Sequence, residues 1–213
     1  MDAICREQST EQVGWEEFLP DVQPYVFGAP DELVLNAVRS TAIDFCKTTH
    51  TLRRLFYADL YKGVENYIVP DPSDGYRANM LLRVLVSGVQ YPALSRYPAK
   101  PRRYGAFFDR PSRLYLFPAP CKDEEDGLEI ELSVFPSQFS CSIDRSFYED
   151  HAQDIAKGAI SQILQIPNTS WTDRALAENF FRQYKDAVAR EKVRRAKGDH
   201  AGPLIARAGR RWY

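Results

Sequence analysis

The residues of this sequence that could carry chemistry are few and lie far apart. Cys46 and His50 are four residues apart, and on a helix this spacing places a thiol and an imidazole on one face, as a metal site requires. The sequence supplies no further ligands around them, so we expect a packed cysteine. The other two histidines, His151 and His200, lie on separate segments with no motif around them. No GxSxG, P-loop, HExxH or GxGxxG pattern occurs, so we predict no catalytic residues, no metal or cofactor, and no enzyme.

An acidic run, KDEEDGLEIE, begins at Lys122 and could offer carboxylates to a cation or to acid–base chemistry. The run lacks the alternating oxygen positions of a calcium loop. We therefore interpret it as a solvated hairpin turn between Phe117 and Leu128.

A basic and aromatic segment, YPAKPRRYGAFFDRPSR, spans residues 97–113. It interleaves Lys100, Arg102, Arg103, Arg110 and Arg113 with Tyr97, Tyr104, Phe107 and Phe108. Nucleic-acid surfaces use this composition for phosphate contacts and base stacking. The alternative is that the aromatic rings face inward from strands while the arginines lie in water, and the acidic body of the chain favours this alternative.

The charge is distributed unevenly along the chain. Residues 190–213 carry eight basic and two acidic side chains, a net +6, which leaves −7 for the rest of a chain whose formal total is −1. The chain ends in GPLIARAGRRWY, where two aromatic rings follow two arginines. A basic tail could bind DNA through counterion release. Trp, Tyr and Arg are also the residues most often found as hot spots of protein interfaces, so we predict a docking tail that binds a protein partner through Leu204, Ile205, Arg207, Arg210, Arg211, Trp212 and Tyr213.

The spacing of the cysteines and the hydropathy of the chain indicate the cellular compartment of the protein. The four cysteines have no CxxC spacing and no dense framework, and we expect free thiols made in a reducing cytoplasm. The first eleven residues are polar and charged, and no window approaches the roughly 18 apolar residues of a membrane span. We expect a protein that is neither exported by the usual route nor inserted in a bilayer.

Periodicity predicts helices at both ends of the chain and strands between them. Pro30, followed by two acids, predicts a helix over 31–48, and apolar stripes predict helices over 146–164 and from Ser170 to Gly198, with Ser170 and Asp173 spaced as a capping box. The predicted strands are Leu60–Val69, Met80–Ser87, Tyr104–Phe108, Arg113–Phe117 and Leu128–Phe135. In the last of these, Leu128, Ile130, Leu132 and Val134 alternate with polar residues, including Ser133, so one face is expected to be buried and the other wet.

These elements predict an α+β fold: a helical bundle of one N-terminal and two long C-terminal helices, with a small antiparallel β-sheet or sandwich domain inserted into it. The expected divisions are a flexible N-terminus (1–14), a helical domain (15–50 and 142–197), an inserted β-domain (51–141) and an extended docking tail (198–213).

Three stretches resemble the head-to-tail adaptor, or connector, proteins of tailed bacteriophages. They are FLPDVQPYVFGAPDELVLNAVRSTAIDFCKTTHTLRR, the pair RLYLFPAP and LEIELSVFPS, and HAQDIAKGAISQILQIPNTSWTDRALAENFFRQYKDAVAREK. The resemblance spans roughly residues 18–198. Its motifs are structural patterns, namely a Pro-rich lead into a helix, a strand pair, and a Gly-Ala helix followed by a turn and a second long helix.

The resemblance implies a structural virion protein in the neck between capsid and tail, assembled in the host cytoplasm. Its partners would be further copies of itself in a ring, usually of twelve subunits, the portal protein, and a downstream tail or nozzle protein. DNA would pass through the ring without sequence-specific binding during ejection, and no membrane is involved. The residues expected to pack between subunits are Ala152, Ala156, Ala159, Phe180 and Tyr184. A DNA-binding protein that uses its basic tail and the Arg/Tyr-rich segment, or another neck or tail component, remains the alternative.

Overall fold

The computed structural model of the chain describes residues 3–4, 6–7, 11–69, 75–98 and 104–197. Within these ranges the fold is mixed α+β, with four α-helices and several mostly antiparallel sheets, which confirms the predicted class. The predicted docking tail, residues 198–213, lies outside the described part of the chain, as do residues 99–103.

Helices come before and after the strands in the chain. They are α1 (Leu19–Val22), α2 (Asp31–Thr49), α3 (Arg145–Leu164) and α4 (Arg174–Lys197), with 3-10 turns at Trp15–Phe18 and Gln23–Tyr25. Helix α2 follows Pro30, whose backbone is extended, and ends at His50 in the left-handed conformation (φ 55°). The predicted bounds of α2 and α3 are thus correct to within one residue at each end.

The start of α4 differs from its prediction. The helix begins at Arg174, and the Asp173 Oδ1 accepts a hydrogen bond from the Leu176 N–H at 2.9 Å, so Asp173 is the N-cap. The predicted capping box with Ser170 as N-cap is wrong. The preceding turn is closed by the hydroxyls of Thr169 and Thr172, which both donate to the Ile166 carbonyl.

Eleven strands are present in the described part of the chain. They are β1 (Ala3–Ile4), β2 (Arg6–Glu7), β3 (Gln12–Gly14), β4 (Arg53–Leu60), β5 (Asn66–Ile68), β6 (Tyr76–Val86), β7 (Val89–Tyr91), β8 (Gly105–Asp109), β9 (Arg113–Phe117), β10 (Glu124–Pro136) and β11 (Ser142–Asp144). The predicted hairpin of β8 and β9 is confirmed. The predicted strand Leu60–Val69 is wrong, because Leu60 ends β4 and a turn with Gly63 at φ 78° separates it from β5.

The strands form three sheets. The five-stranded sheet has the order β2-β4-β10-β6-β7 and is antiparallel, and the four-stranded sheet has the order β1-β5-β9-β8 with one parallel pair, β1 with β5. The third sheet pairs β3 with β11, so Val13 lies opposite Ile143. Within the N-terminal stretch 1–14, predicted to be flexible, residues 3–4, 6–7 and 12–14 form strands. The three residues of β3 form too short a pattern to show that the partner strand, β11, lies about 130 positions away.

The core lies between the sheets and the helices. Strand β10 buries Leu128, Ile130, Leu132 and Val134, as the alternation predicts, and pairs with β4 and β6 on its two sides. Glu129 and Glu131 point outward and form ion pairs with Arg83. Ser133, predicted on the wet face, is buried, because the end of α2 covers it. Buried residues of helices and sheets form one continuous cluster.

Candidate partner-binding surfaces

Among the described residues, the groups that could react do not converge. No cluster of three or more metal-binding side chains occurs among the residues that the structure describes. Cys46 is fully buried, and desolvation raises the pKa of its thiol well above the usual value. His50 Nδ1 lies 3.0 Å from Asn79 Nδ2 and 3.2 Å from Ser133 Oγ. Because an amide nitrogen only donates, Nδ1 is the acceptor, and His50 caps α2 and contacts the sheet.

The acidic run closes turns and does not gather its carboxylates. Asp123 Oδ1 accepts the Lys62 N–H at 2.6 Å, and the Asp126 N–H donates to Asp59 Oδ1 at 2.9 Å. Ser87 Oγ donates to Glu124, a contact that lowers the pKa of this carboxyl group. Strand β10 already begins at Glu124, so the predicted turn is shorter than expected.

The described residues of the basic and aromatic segment divide between an outer and an inner face. The exposed Tyr97 packs edge-on against the rings of Phe107, Tyr115 and Phe117 at centroid distances of 5.8, 5.2 and 5.4 Å. Phe108 packs against the core instead. The expectation that the aromatic rings face inward therefore holds for Phe108 but not for Phe107, because successive residues of a strand point to opposite faces.

A basic groove, defined by Lys47, Arg77, Arg110 and Phe135, lies where α2, the sheet and the β8–β9 turn meet. Its cavity measures about 740 Å³. Lys47 lies in the last turn of α2, Arg77 is paired with Phe135 in the register of β6 and β10, and Arg110 follows β8. A second cavity of about 240 Å³ shares three of these side chains and extends to the loop that carries Phe139.

The described lining of the basic groove is positively charged. Among the described residues, no carboxylate lines either cavity, and neither Arg77 nor Arg110 takes part in an ion pair. Lys47 Nζ lies 4.3 Å from the centroid of the Phe135 ring, a cation–π contact. Sequence reasoning missed this groove, because Lys47, Arg77 and Arg110 come from three distant segments with no local pattern in common.

Two phenylalanine side chains are almost fully exposed. Phe27 is 90% exposed in the loop before α2, and Phe139 is 89% exposed in the loop between β10 and β11. Tyr25 and Phe181 are also exposed. Single exposed apolar residues are common on protein surfaces, but aromatic residues are enriched at protein interfaces, so both rings are candidates for contact with another chain.

The structure places the predicted packing residues of α3 and α4 mostly inside the chain. Ala156, Ala159 and Tyr184 are buried, and Tyr184 donates a hydrogen bond to Asp44 Oδ2 at 2.9 Å. Their burial results from close packing of α3 against α2 and α4, so these three side chains have no free surface for a second subunit. Ala152 and Phe180 are only partly buried, and a contact of these two with another subunit stays a prediction.

No family model matches the sequence, and no curated protein matches it. The structure therefore defines the class of protein by itself: a mixed α+β fold that carries a basic groove and separate exposed aromatic side chains. None of the described helices is both long and apolar enough to span a membrane.

Proposed function

We propose that this chain is a structural protein of the virion, a head-to-tail adaptor that assembles as a ring between the portal and the tail. The exposure of Phe27 and Phe139 carries the proposal, because aromatic residues are enriched at protein interfaces relative to the rest of the surface. The sequence resemblance to phage connector proteins supplies the particular assembly.

The chain order supports the finer architecture that the proposal needs. All strands from β4 to β10 fall between α2 and α3, and the pairing of β3 with β11 joins the two segments that lead into the helices. In this proposal the helical part (15–50 and 142–197) builds the ring, and the inserted β-domain (51–141) contacts the next tail component. DNA passes through the ring without sequence-specific contacts, and the excess of acid outside residues 190–213 limits its adhesion to the wall.

Deletion of the C-terminal residues 202–213 tests whether this segment binds the portal. The full-length protein and a variant that lacks residues 202–213 are mixed with purified portal rings of the same virus, and complexes are examined by sedimentation and electron microscopy. We expect the full-length protein to form a ring on the portal, and the truncated protein to stay folded but unbound. A variant in which the twelve residues are replaced by a Gly/Ser stretch of equal length controls for length.

The outcomes of this experiment distinguish the docking role of the tail from the adaptor function. Normal assembly of the truncated protein contradicts the docking role of the tail. Failure of the full-length protein to bind portal rings contradicts the adaptor function itself.

A DNA-binding protein is the second candidate, and the basic groove is the observation that favours it. Lys47, Arg77 and Arg110 present positive charge in a cavity whose described lining includes no carboxylate. A gel-shift titration at several salt concentrations tests this candidate. Tight binding with a steep fall in affinity as salt rises would support it, and no binding at physiological salt would exclude it.

A further inference from the structure

We propose that the basic groove of one copy receives Phe27 and the acidic edge around it from a second copy of this chain. The acidic edge is defined as Phe27, Asp31 and Glu32. This inference rests on the proposed function, since it names the contact through which neighbouring subunits of the ring hold each other.

The groove supplies one half of the contact. Lys47, Arg77 and Arg110 are exposed and converge on one cavity, and the adjoining cavity of about 240 Å³ is lined by Ile43, Phe135, Pro136 and Phe139 beside two of the cations. The site therefore combines an apolar recess with a positively charged rim. An occupant that fits it carries an apolar side chain flanked by carboxylates.

The segment around Phe27 has this composition. Residues 11–38 contain six acids and no lysine or arginine, and Phe27 is the most exposed large apolar side chain of that segment. Within the described structure, Glu11 alone of these acids forms an ion pair, with Arg145. Asp31 accepts a hydrogen bond from Gln23, and Glu32 is exposed at the start of α2. The acidic edge thus offers an aromatic ring beside free negative charge.

The two surfaces lie at opposite ends of α2 and cannot meet within one chain. Asp31 begins the helix and Lys47 lies sixteen residues later, a separation of roughly 24 Å along the axis. A contact between the acidic edge of one copy and the basic groove of the next uses two different patches. Such a heterologous contact repeats from copy to copy, and it closes into a ring when the rotation per copy permits.

Cross-linking between single cysteines tests the pairing directly. In a background with Cys5, Cys121 and Cys141 replaced by serine, Asn36→Cys, one helical turn after Glu32, marks the acidic edge and Gln138→Cys marks the wall of the groove. Both positions are exposed, and neither removes Phe27 or a groove cation. A short bismaleimide reagent is applied to each variant alone, to a mixture of the two, and to the double variant.

We expect covalent dimers from the mixture, a ladder of multimers from the double variant, and only monomers from each single variant. Adding Lys47→Glu and Arg77→Glu should lower the cross-linked yield by about tenfold or more, the change that about 1.4 kcal/mol produces. Lys62→Glu with Arg182→Glu changes the net charge equally at exposed sites away from the groove, and this control should leave the yield unchanged.

Other results overturn the proposal. Dimers from either single variant alone would show a contact of like surfaces, and the absence of cross-links in the mixture would exclude the pairing. Loss of DNA binding in the Lys47→Glu, Arg77→Glu variant without any cross-linking would assign the groove to nucleic acid. The adaptor function is tested separately. Cross-links without portal binding would support the contact between acidic edge and basic groove and contradict the adaptor function. Portal binding without cross-links would support the adaptor function and contradict this contact.

Discussion

Arg54 and Asp144 form a bidentate ion pair inside the core, with both nitrogen–oxygen distances at 2.6 Å and both side chains 4% exposed. Tyr76 OH donates to Asp144 Oδ1 at 2.8 Å, and the Arg54 guanidinium lies over the Tyr76 ring at 4.6 Å. The pair joins β4 to the residue that precedes α3, so it fixes the sheet to the helical layer.

Loss of Arg54 should be costly, because the buried Asp144 carboxylate then lacks the guanidinium that opposes its charge. We expect Arg54→Ala to lower the free energy of unfolding by about 3–5 kcal/mol, measured by urea titration. Arg53→Ala is the control, since Arg53 is 39% exposed and Glu131 keeps its ion pair with Arg83, and its effect should stay below about 1 kcal/mol. If the two variants lose stability equally, the buried pair is not the main link between sheet and helices.

Gly158 allows α3 to approach its neighbours. A Cβ atom at this position would clash with Thr41 Cγ2 and lie 2.9 Å from Tyr184 Cδ2. Helix propensity alone favours alanine over glycine by about 1 kcal/mol, but overpacking costs about 1–3 kcal/mol. We expect Gly158→Ala to lower the thermal midpoint, as calorimetry would show. Glu149→Ala, at an exposed position of the same helix, should change it little, and a higher midpoint for Gly158→Ala would contradict the packing argument.

His151 should make stability depend on pH. It is buried beside the rings of Phe45 and Phe147, and desolvation lowers its pKa, although the charges of Glu191 and Asp150 oppose this shift. Because the unfolded state binds the proton more readily, the stability that the neutral ring contributes is present above about pH 6.5 and is lost as the pH falls below it.

We therefore expect the urea midpoint to be lower at pH 5.5 than at pH 7.5. In His151→Leu this difference between the two midpoints should be smaller. His50 also has a lowered pKa, for which burial is the largest cause, so His50→Asn should remove a separate part of the pH dependence. Asparagine tolerates the left-handed backbone at this position. An unchanged pH dependence in His151→Leu would show that His151 does not titrate on unfolding.

Cys46 should be unreactive in the folded protein. Its raised pKa follows from desolvation first and from the Asp144 charge second, and the thiolate is the form that reacts. We expect iodoacetamide to label the exposed Cys121 and Cys141 at pH 8 and to label Cys46 only in urea, as followed by peptide mass spectrometry. Equal labelling of Cys46 and Cys141 in native protein would contradict the packed position.

The predictions from the sequence succeeded where a pattern is local. The spacing of apolar residues in α2 and α3 and the alternation along β10 reflect which side of one element is buried, and this information lies within about twenty consecutive residues. The start of α4 does not follow from a local pattern. Ser170 and Asp173 are both good caps, and only the contacts of the preceding turn determine which of them begins the helix.

Local periodicity and turn residues are sufficient to predict the mixed α+β class, the bounds of two long helices and the hairpin of β8 and β9. The pairing of β3 with β11, the contact of Arg54 with Asp144 and the groove lined by three cations from separate segments are visible only in the folded chain. These relations join residues tens of positions apart or more. They depend on how the sheets and helices pack around one core, a property that no short stretch of sequence contains.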